Sequence, residues 1–499
     1  MRALSKSKLM AYRQCSKRLW LEVHKPELRE DSASTQASFT VGYQVGDIAQ
    51  QLYDPKGKGV LIDVQKEGFD AAFTRTQTLL GSAQPIFEAG FRTEGALAFA
   101  DILLPVKKGG KTSWRMVEVK SSTSVKSYHR DDAAVQSYLA LASKVTLTGI
   151  SLAHIDSSWV YPGSGDYNGL LVEEDLTEDA FSQHEEVVRW ISDAQQVVAK
   201  KKAPKVSTGP HCCDPYACGF FAHCKSQEPQ AEMPLDWLPG RVSNKLSAFI
   251  QANKTIELRD VPDELLNEKQ LRVKAVSIAG KAYFDQEGAA QALAQHKLPA
   301  YFMDFETIQF AVPIWKGTRP YQQIPFQFSV HRLTRTGKLE QQAFLDITGA
   351  DPSKAFAQSL IAACDERGPI FVYNAGFETA RIRELADRFP RMARQLLALN
   401  ERVVDLLPVA REHYYHPSQK GSWSIKAVLP ALCPDLSYDD LEGVQNGGMA
   451  MDAFKEALSP KTSAVRKAEI ERQLLSYCEL DTYAMVRMWA AFTRNTLKS

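Results

Sequence analysis

The chain has 499 residues, more than one ordinary core holds, so two or three domains are expected. It is 44% hydrophobic and 24% charged with no biased tract, which excludes a low-complexity or disordered chain. Sixty basic residues against 59 acidic ones leave a formal charge of +1, so the overall basic excess of a strong phosphate binder is absent and any nucleic-acid contact must come from locally placed cations. No run of eighteen apolar residues is present, and a membrane span is not expected. The N-terminal MRALSKSKLMAYRQCSKRLW has neither an apolar core segment nor a small-residue cleavage site, so a cytoplasmic location is expected.

That N-terminal segment reads as one amphipathic basic helix. Lys6, Lys8, Arg13, Lys17 and Arg18 form its cation cluster, a pattern equally met by a solvated helix face. Further on, AFADILLPV and TSWRMVEVK are two strand-like runs joined at Gly109-Gly110, a strong hairpin signal. With a two-residue turn there, paired positions sum to 219, Asp101 faces Glu118, and Lys120 shares the face of Glu118. Two carboxylates can hold a hard divalent ion that activates water, and a neighbouring ammonium can orient that water or stabilise the phosphorane.

Eight cysteines in a reducing compartment do not read as a disulfide framework. Cys212, Cys213, Cys218 and Cys224 crowd into one short segment and Cys15 lies far upstream, whereas Cys364, Cys433 and Cys478 read as small core residues. Residues 1–228 form a first domain ending at this cluster. Residues 229–298, with Pro234, Pro239 and Pro262 among short amphipathic patterns, read as a helical connector in which no chemistry shows.

Residues 299–499 begin with three strand-like runs (AYFMDFET, IPFQFSVHRL, QQAFLDI), followed by strands and helices in alternation, an α/β domain with a mixed sheet. Asp304 and Glu306 fall on one face of the first strand. Asn374 marks a turn before the helix whose first turn carries Glu378. Tyr477 and Asp481 lie four apart on a late helix. Four carboxylates delivered from a strand and two helices can hold two divalent ions for phosphodiester hydrolysis, and Tyr477 is placed to orient or help deprotonate the attacking water.

The Asp101…Glu118-x-Lys120 pattern, with Gln136 on the next helix, resembles the PD-(D/E)xK nuclease superfamily and, within it, the RecB-like branch, which implies a restriction-endonuclease-like fold. The Gln-x-x-x-Tyr of that branch is met in part: position 140 is Ala140, and the tyrosine is Tyr138. Where many members place a metal-binding histidine, Gly42-Tyr-Gln-Val is followed by Gly46 and Asp47, with Glu88 as a substitute acid. Cys15 with Cys212, Cys218 and Cys224 resembles the iron–sulfur nucleases of the AddB and CRISPR-adaptation type, in which a cluster ties the two ends of the nuclease domain together. The resemblance implies a [4Fe–4S] cluster, with zinc the alternative occupant and Cys213 the alternative to Cys212.

Asp304, Glu306, Glu378, Tyr477 and Asp481 resemble the tyrosine variant of the DEDD 3′→5′ exonucleases, which implies an RNase H-like fold. The histidine variant would place His at position 476, which is Ser476, and Glu378 stands where that family has Asp. The segments IPFQFSVHRL and GSWSIKAVLPAL resemble a bacterial fusion family joining a RecB-like iron–sulfur nuclease to an exonuclease-like domain of uncharacterised function. These resemblances imply a Mg²⁺- or Mn²⁺-dependent nuclease acting on single-stranded DNA or DNA ends. The alternatives are a nucleic-acid-binding scaffold with one or both sites inactive, and an RNA exonuclease.

Overall fold

A computed structural model of the chain describes residues 3–108, 111–365 and 367–496. The chain is a mixed α/β protein that divides into two compact units, one of Met1–Pro229 with Phe310–Gln322 and one of Gln230–Gln309 with Gln323–Ser499. Among the described residues no helix is long and apolar enough to cross a membrane.

The first unit is built on a sheet in the order β2 (Val60–Leu61), β3 (Ile86–Arg92), β4 (Ala96–Lys108), β5 (Lys111–Lys120), β6 (Leu147–Ile155) and β7 (Leu171–Asp175), with β1 (Leu4–Ser5) also pairing with β4. β3, β4 and β5 run antiparallel, and their register pairs Lys108 with Lys111 and Ile102 with Val117, the sum of 219 read from the sequence. The Gly109-Gly110 turn itself lies outside the described residues. β6 joins β5 in parallel, which requires a crossover, and the helix Ser127–Ala142 supplies it. Ala133, Ala134, Val135 and Leu139 on that helix pack into one core with Phe91, Ala98 and Met116 of the sheet.

The N-terminal segment is two helices rather than one. Lys6–Gln14 and Ser16–His24 meet at Cys15, whose φ of −163° and ψ of 123° are extended. The break costs little, because the N–H of Cys15 still donates to Ala11 and its carbonyl accepts from Leu19. The sequence gives no Pro or Gly there to announce it.

The second unit carries a five-stranded sheet in the order β11 (Leu339–Leu345), β10 (Ile324–Leu333), β9 (Ala300–Ile308), β12 (Ile370–Val372) and β13 (Val403–Asp405). β11, β10 and β9 are antiparallel neighbours, whereas β9, β12 and β13 are parallel. β9 is buried along nearly its whole length, which explains its almost unbroken apolar run around Asp304 and Glu306. The helix Ala464–Thr493 packs across β9 and β10.

The stretch read as a connector belongs to this unit's core. Leu246, Leu258, Val261 and Val273 pack in one cluster with Phe302, Phe371 and Trp489, and β8 (Tyr283–Phe284) pairs with β14 (Tyr414–Tyr415). Its helices are short and amphipathic, so each has an apolar stripe that must be covered by a neighbour. The loop between β9 and β10 goes the other way. Its Ala311 and Val312 are buried with Val45, Ile155 and Leu170 of the first unit, and Tyr161 exchanges backbone hydrogen bonds with Gly317 and Thr318.

Candidate functional site

In the first unit β4, β5 and the crossover helix bring Asp101, Glu118, Lys120 and Gln136 together. The Asp101 carboxylate accepts from the Val119 N–H at 2.7 Å. Lys120 and Gln136 donate to opposite oxygens of Glu118, which is buried at 1% exposure. Two residues not read from the sequence complete the group. Asp132, one helical turn before Gln136, accepts from Lys120 at 2.8 Å. Lys6, delivered by the first helix, donates to Glu118 at 2.8 Å and pairs with Asp132 at 3.2 Å.

Asp132 could have been found from its spacing to Gln136, which puts both on one helix face. Lys6 was visible only as one of five cations. Those cations separate in the structure: Lys8 and Arg18 pair with Glu22, and Arg13 pairs with Asp131 while lying over Trp190. A shared phosphate-binding face is therefore not what they form.

The electrostatics of this group follow from its internal pairing. Burial would raise the Asp132 carboxyl, but Lys120 and Lys6 hold it below the usual carboxylate range. Burial would lower both lysines, and Asp132 and Glu118 keep them raised and charged. Asp101, without a side-chain cation bonded to it, is pushed up to about 8, first by burial and then by Glu118. His129 is pushed down to about 4 by burial and by Lys120.

Glu88, Asp47, Gly42 and Gly46 line the same cavity of about 390 Å³ as Lys6, Asp101, Glu118 and Lys120. Glu88 is raised by burial and by Glu118, and its φ of 55° is a left-handed conformation that a non-glycine residue seldom takes. Tyr138 is turned elsewhere, its ring edge-on to His184 at 5.7 Å.

In the second unit Asp304, Glu306 and Asp481 each offer a carboxylate oxygen within 4.8 Å of the others. β9 presents the first two on one face, and the helix Ala464–Thr493 presents Asp481 with Tyr477 one turn earlier. Glu378 comes from the first turn of the helix Gly376–Arg388. The turn before that helix is fixed by Asp405, which accepts from the N–H groups of Asn374 and Ala375 at 2.9 and 3.0 Å, with Asn374 at a φ of 76°. Glu378 is buried, and its Oε2 has no hydrogen-bond partner among the described residues.

Among the described residues no cation is ion-paired with this acid group as Lys6 and Lys120 are with Glu118 and Asp132 in the first unit. Asp304 is raised well above its ordinary value by burial, then by Asp481, Glu378 and Glu306. Burial and Asp481 push Glu306 up to about 8; burial, with Asp405 adding, does the same for Glu378. Asp481 rises to about 6 through burial, moderated by a hydrogen bond from Tyr438 at 2.5 Å and by Lys426. Tyr477 and Tyr438 are both raised by burial and Asp481, so both phenols stay protonated.

Lys426 sits over both rings, 5.0 Å from that of Tyr477 and 5.1 Å from that of Tyr438, and donates to the Gln445 carbonyl at 2.6 Å. Neither Tyr438 nor Lys426 was read from the sequence. Tyr438 opens a short 3₁₀ turn and Lys426 lies in the first turn of the helix Ile425–Leu432, and nothing local in the sequence marks either as a partner of the acids.

Cys15, Cys212, Cys218 and Cys224 line one small cavity with Lys17 and Arg18, while Cys213 is exposed and outside it. Gln14 ties the first helix to the cysteine segment by donating to the carbonyls of His211 and Tyr216, both at 2.7 Å. Cys218 and Cys224 are raised by burial and by the neighbouring thiols, with Arg18 and Lys17 respectively pulling them back. Cys364, Cys433 and Cys478 are buried, the last against Asp304.

Residues 301–424 match the family described as "Domain of unknown function (DUF2779)", about a quarter of the chain, which includes Asp304, Glu306 and Glu378 but stops short of Tyr477 and Asp481. No curated protein matches the chain. Among solved structures, the crystal structure of SSO0001 is similar at 14% identity, covering 40% of this chain and 76% of that one with a TM-score of 0.22, too slight a likeness to argue from.

Proposed function

We propose that the chain is a metal-dependent nuclease of the cytoplasm, hydrolysing phosphodiester bonds at single-stranded DNA or DNA ends through a two-metal 3′→5′ exonuclease site in its second unit. The observation that carries this reading is the convergence of Asp304, Glu306 and Asp481 within 4.8 Å, beside the unpartnered oxygen of Glu378. Buried like charges without a cation are costly, so the group must either keep protons or take up cations. The sheet order, three antiparallel strands followed by two parallel ones, supports the RNase H-like reading.

Asp304, Glu306, Glu378 and Asp481 would hold Mg²⁺ or Mn²⁺, which supplies an activated water and neutralises charge on the scissile phosphate. The chain's own contribution is positioning. Tyr477, one helical turn before Asp481, is placed to orient or help deprotonate the attacking water through its hydroxyl. Tyr438 fixes the Asp481 carboxylate through Oδ1, leaving Oδ2 for an ion.

In the first unit Asp101, Glu118, Lys120 and Gln136 fit a PD-(D/E)xK nuclease site, and β3, β4 and β5 followed by a helix and parallel β6 support that reading. A second reading is favoured there by Lys6 and Lys120 together, which engage the carboxylates an ion would need. On that reading this site holds the strand and does not cut it.

Cys15, Cys212, Cys218 and Cys224 would hold a [4Fe–4S] cluster, or zinc, joining the first helices to the end of the first unit. Four crowded, half-buried thiols fit such a group, because binding removes their protons and the cost of burying them unpaired. Iron, zinc and sulfide content with the visible spectrum of anaerobically purified protein decides between the two occupants.

The test of the whole reading is a 5′-labelled single-stranded oligonucleotide incubated with Mn²⁺, in DNA and RNA forms. Wild type is expected to shorten the DNA from its 3′ end. Asp304→Ala is expected to lose that ladder, and residual internal cuts that vanish in Lys120→Ala would assign activity to the first unit. Wild-type protein that leaves both oligonucleotides intact sinks the nuclease reading.

A further inference from the structure

A cavity of about 730 Å³ in the second unit takes no part in the chemistry described so far. It opens at the carboxyl ends of β12 and β13, where ligands of open α/β sheets bind. Two short stretches of chain join it to the acids. Asn374 lines the cavity, and Glu378 follows one turn into the helix that Asn374 introduces. Ile425 lines it as well, and its neighbour Lys426 carries its charge toward Asp481, Glu306 and Asp304.

The lining is apolar at its floor and cationic at its rim. Tyr373, Trp423, Leu407 and Ile425 form an apolar floor, with the Tyr373 hydroxyl donating to the Trp423 carbonyl at 2.6 Å. Lys269 and Arg411 stand on the rim, and no carboxylate is among the described lining residues. Lys269 is drawn only loosely by Glu412, at 3.9 Å. Arg411 is exposed, and its guanidinium has no hydrogen-bond or ion-pair partner among the described residues.

The backbone around the cavity is held in unusual conformations. Asn374, Gly240 and Gly421 have φ values of 76°, 74° and 80°. At Gly421 a Cβ would lie 1.9 Å from the Trp237 carbonyl oxygen, so only glycine fits. Asn374 is the non-glycine among the three, and a non-glycine residue held left-handed is of the kind that gathers at ligand sites. Trp237, Gly240 and Lys269 all come from 230–298, the stretch in which the sequence shows no chemistry.

We propose that this cavity binds a segment of single-stranded nucleic acid adjoining the scissile phosphodiester, with its phosphates on Arg411 and Lys269. The assignment of the neighbouring bond as scissile rests on the nuclease reading above. The stretch 230–298 then forms one wall of the substrate path and makes the site one for a strand instead of a mononucleotide.

The test uses the full chain and two readouts. Binding of a fluorescent single-stranded oligonucleotide is followed by anisotropy in Ca²⁺, with salt varied. Hydrolysis in Mn²⁺ is followed on the oligonucleotide and on the p-nitrophenyl ester of thymidine 5′-phosphate, which carries one nucleotide. Both cations are exposed, so Arg411→Ala/Lys269→Ala is expected to fold.

The double variant should weaken oligonucleotide binding roughly ten-fold and flatten the log–log salt slope by about 1.4, two single-strand phosphate contacts at ~0.7 each. Arg411→Glu should weaken binding further than Arg411→Ala. Unchanged oligonucleotide affinity and salt slope in the double variant overturn the cavity assignment, whether or not the protein cuts. Weakened binding in the double variant, with wild type hydrolysing neither substrate, keeps the strand site and overturns the nuclease reading instead.

Discussion

The two acid groups of this chain solve the same electrostatic problem in opposite ways. In the first unit Glu118 and Asp132 are bonded by Lys6 and Lys120, and Asp132 is held below the usual carboxylate range. In the second unit Asp304, Glu306, Glu378 and Asp481 face one another, with Lys426 the cation nearby among the described residues, and Glu306 and Glu378 rise to about 8. A carboxylate with an ammonium bonded to it has little to gain from a metal ion, whereas buried carboxylates that repel one another have much to gain. The number of acids says less about metal binding than what already answers their charge.

The strongest way to break this contrast is to remove one acid from each group. Asp304→Ala should lower Mn²⁺-dependent 3′ trimming by ~10³-fold or more, the loss of several kcal/mol of charge stabilisation. Glu118→Gln should change total activity far less, with isothermal calorimetry showing metal uptake retained. Equal losses in the two variants would erase the distinction.

Stability gives a second handle. Lys6→Met leaves Glu118 and Asp132 with one ammonium between them and should destabilise the first unit by roughly 3 kcal/mol, the low end for breaking a buried pair because Lys6 is partly exposed. In the second unit the sign is reversed. Glu306 and Glu378 have folded-state pKa values near 8 against an ordinary 4.5, so the neutral acids stabilise the metal-free fold fully below about pH 4.5. That contribution is lost as pH rises through 8. Metal-free protein should therefore melt at lower temperature at pH 8.5 than at pH 6, and Mn²⁺ should raise the melting temperature more at pH 8.5. Asp304→Asn should flatten the trend and raise the metal-free melting temperature, as a relieved repulsion would. An Mn²⁺ effect of equal size at both pH values would contradict the protonated state of these acids.

Much of the strand framework was legible because burial leaves a periodic or continuous apolar signal. Ile324–Leu333 coincides with the run IPFQFSVHRL, and the hairpin register follows from the glycine pair. Residues placed two apart on a strand, or four apart on a helix, were legible for the same reason: Asp304 with Glu306, Tyr477 with Asp481. Contacts distant in sequence were not. Lys6 meets Glu118 across 112 positions and Tyr438 meets Asp481 across 43, and neither has a local pattern to mark it. The break at Cys15 was hidden because its cause is tertiary. The stretch 229–298 seemed a linker because its apolar residues are spread over several short helices, and only their common packing shows them to be core.

The finest test concerns a hydroxyl. Tyr438 is the strongest of the influences that keep the Asp481 carboxyl near 6 when burial would carry it higher. Tyr438→Phe removes that hydrogen bond while keeping the ring that packs 6.2 Å from Tyr477. A hydrogen bond to a charged group contributes about 1.5 kcal/mol, so the Asp481 carboxyl should rise by about one unit. Metal must displace that proton, so Mn²⁺ affinity near pH 6 should fall about five-fold while affinity at pH 9 stays at the wild-type value. An affinity at pH 6 that stays in place would mean that Tyr438 only fills space beside the acids. A loss of affinity that persists at pH 9 would mean that its hydroxyl orients Asp481 in a way charge alone does not restore.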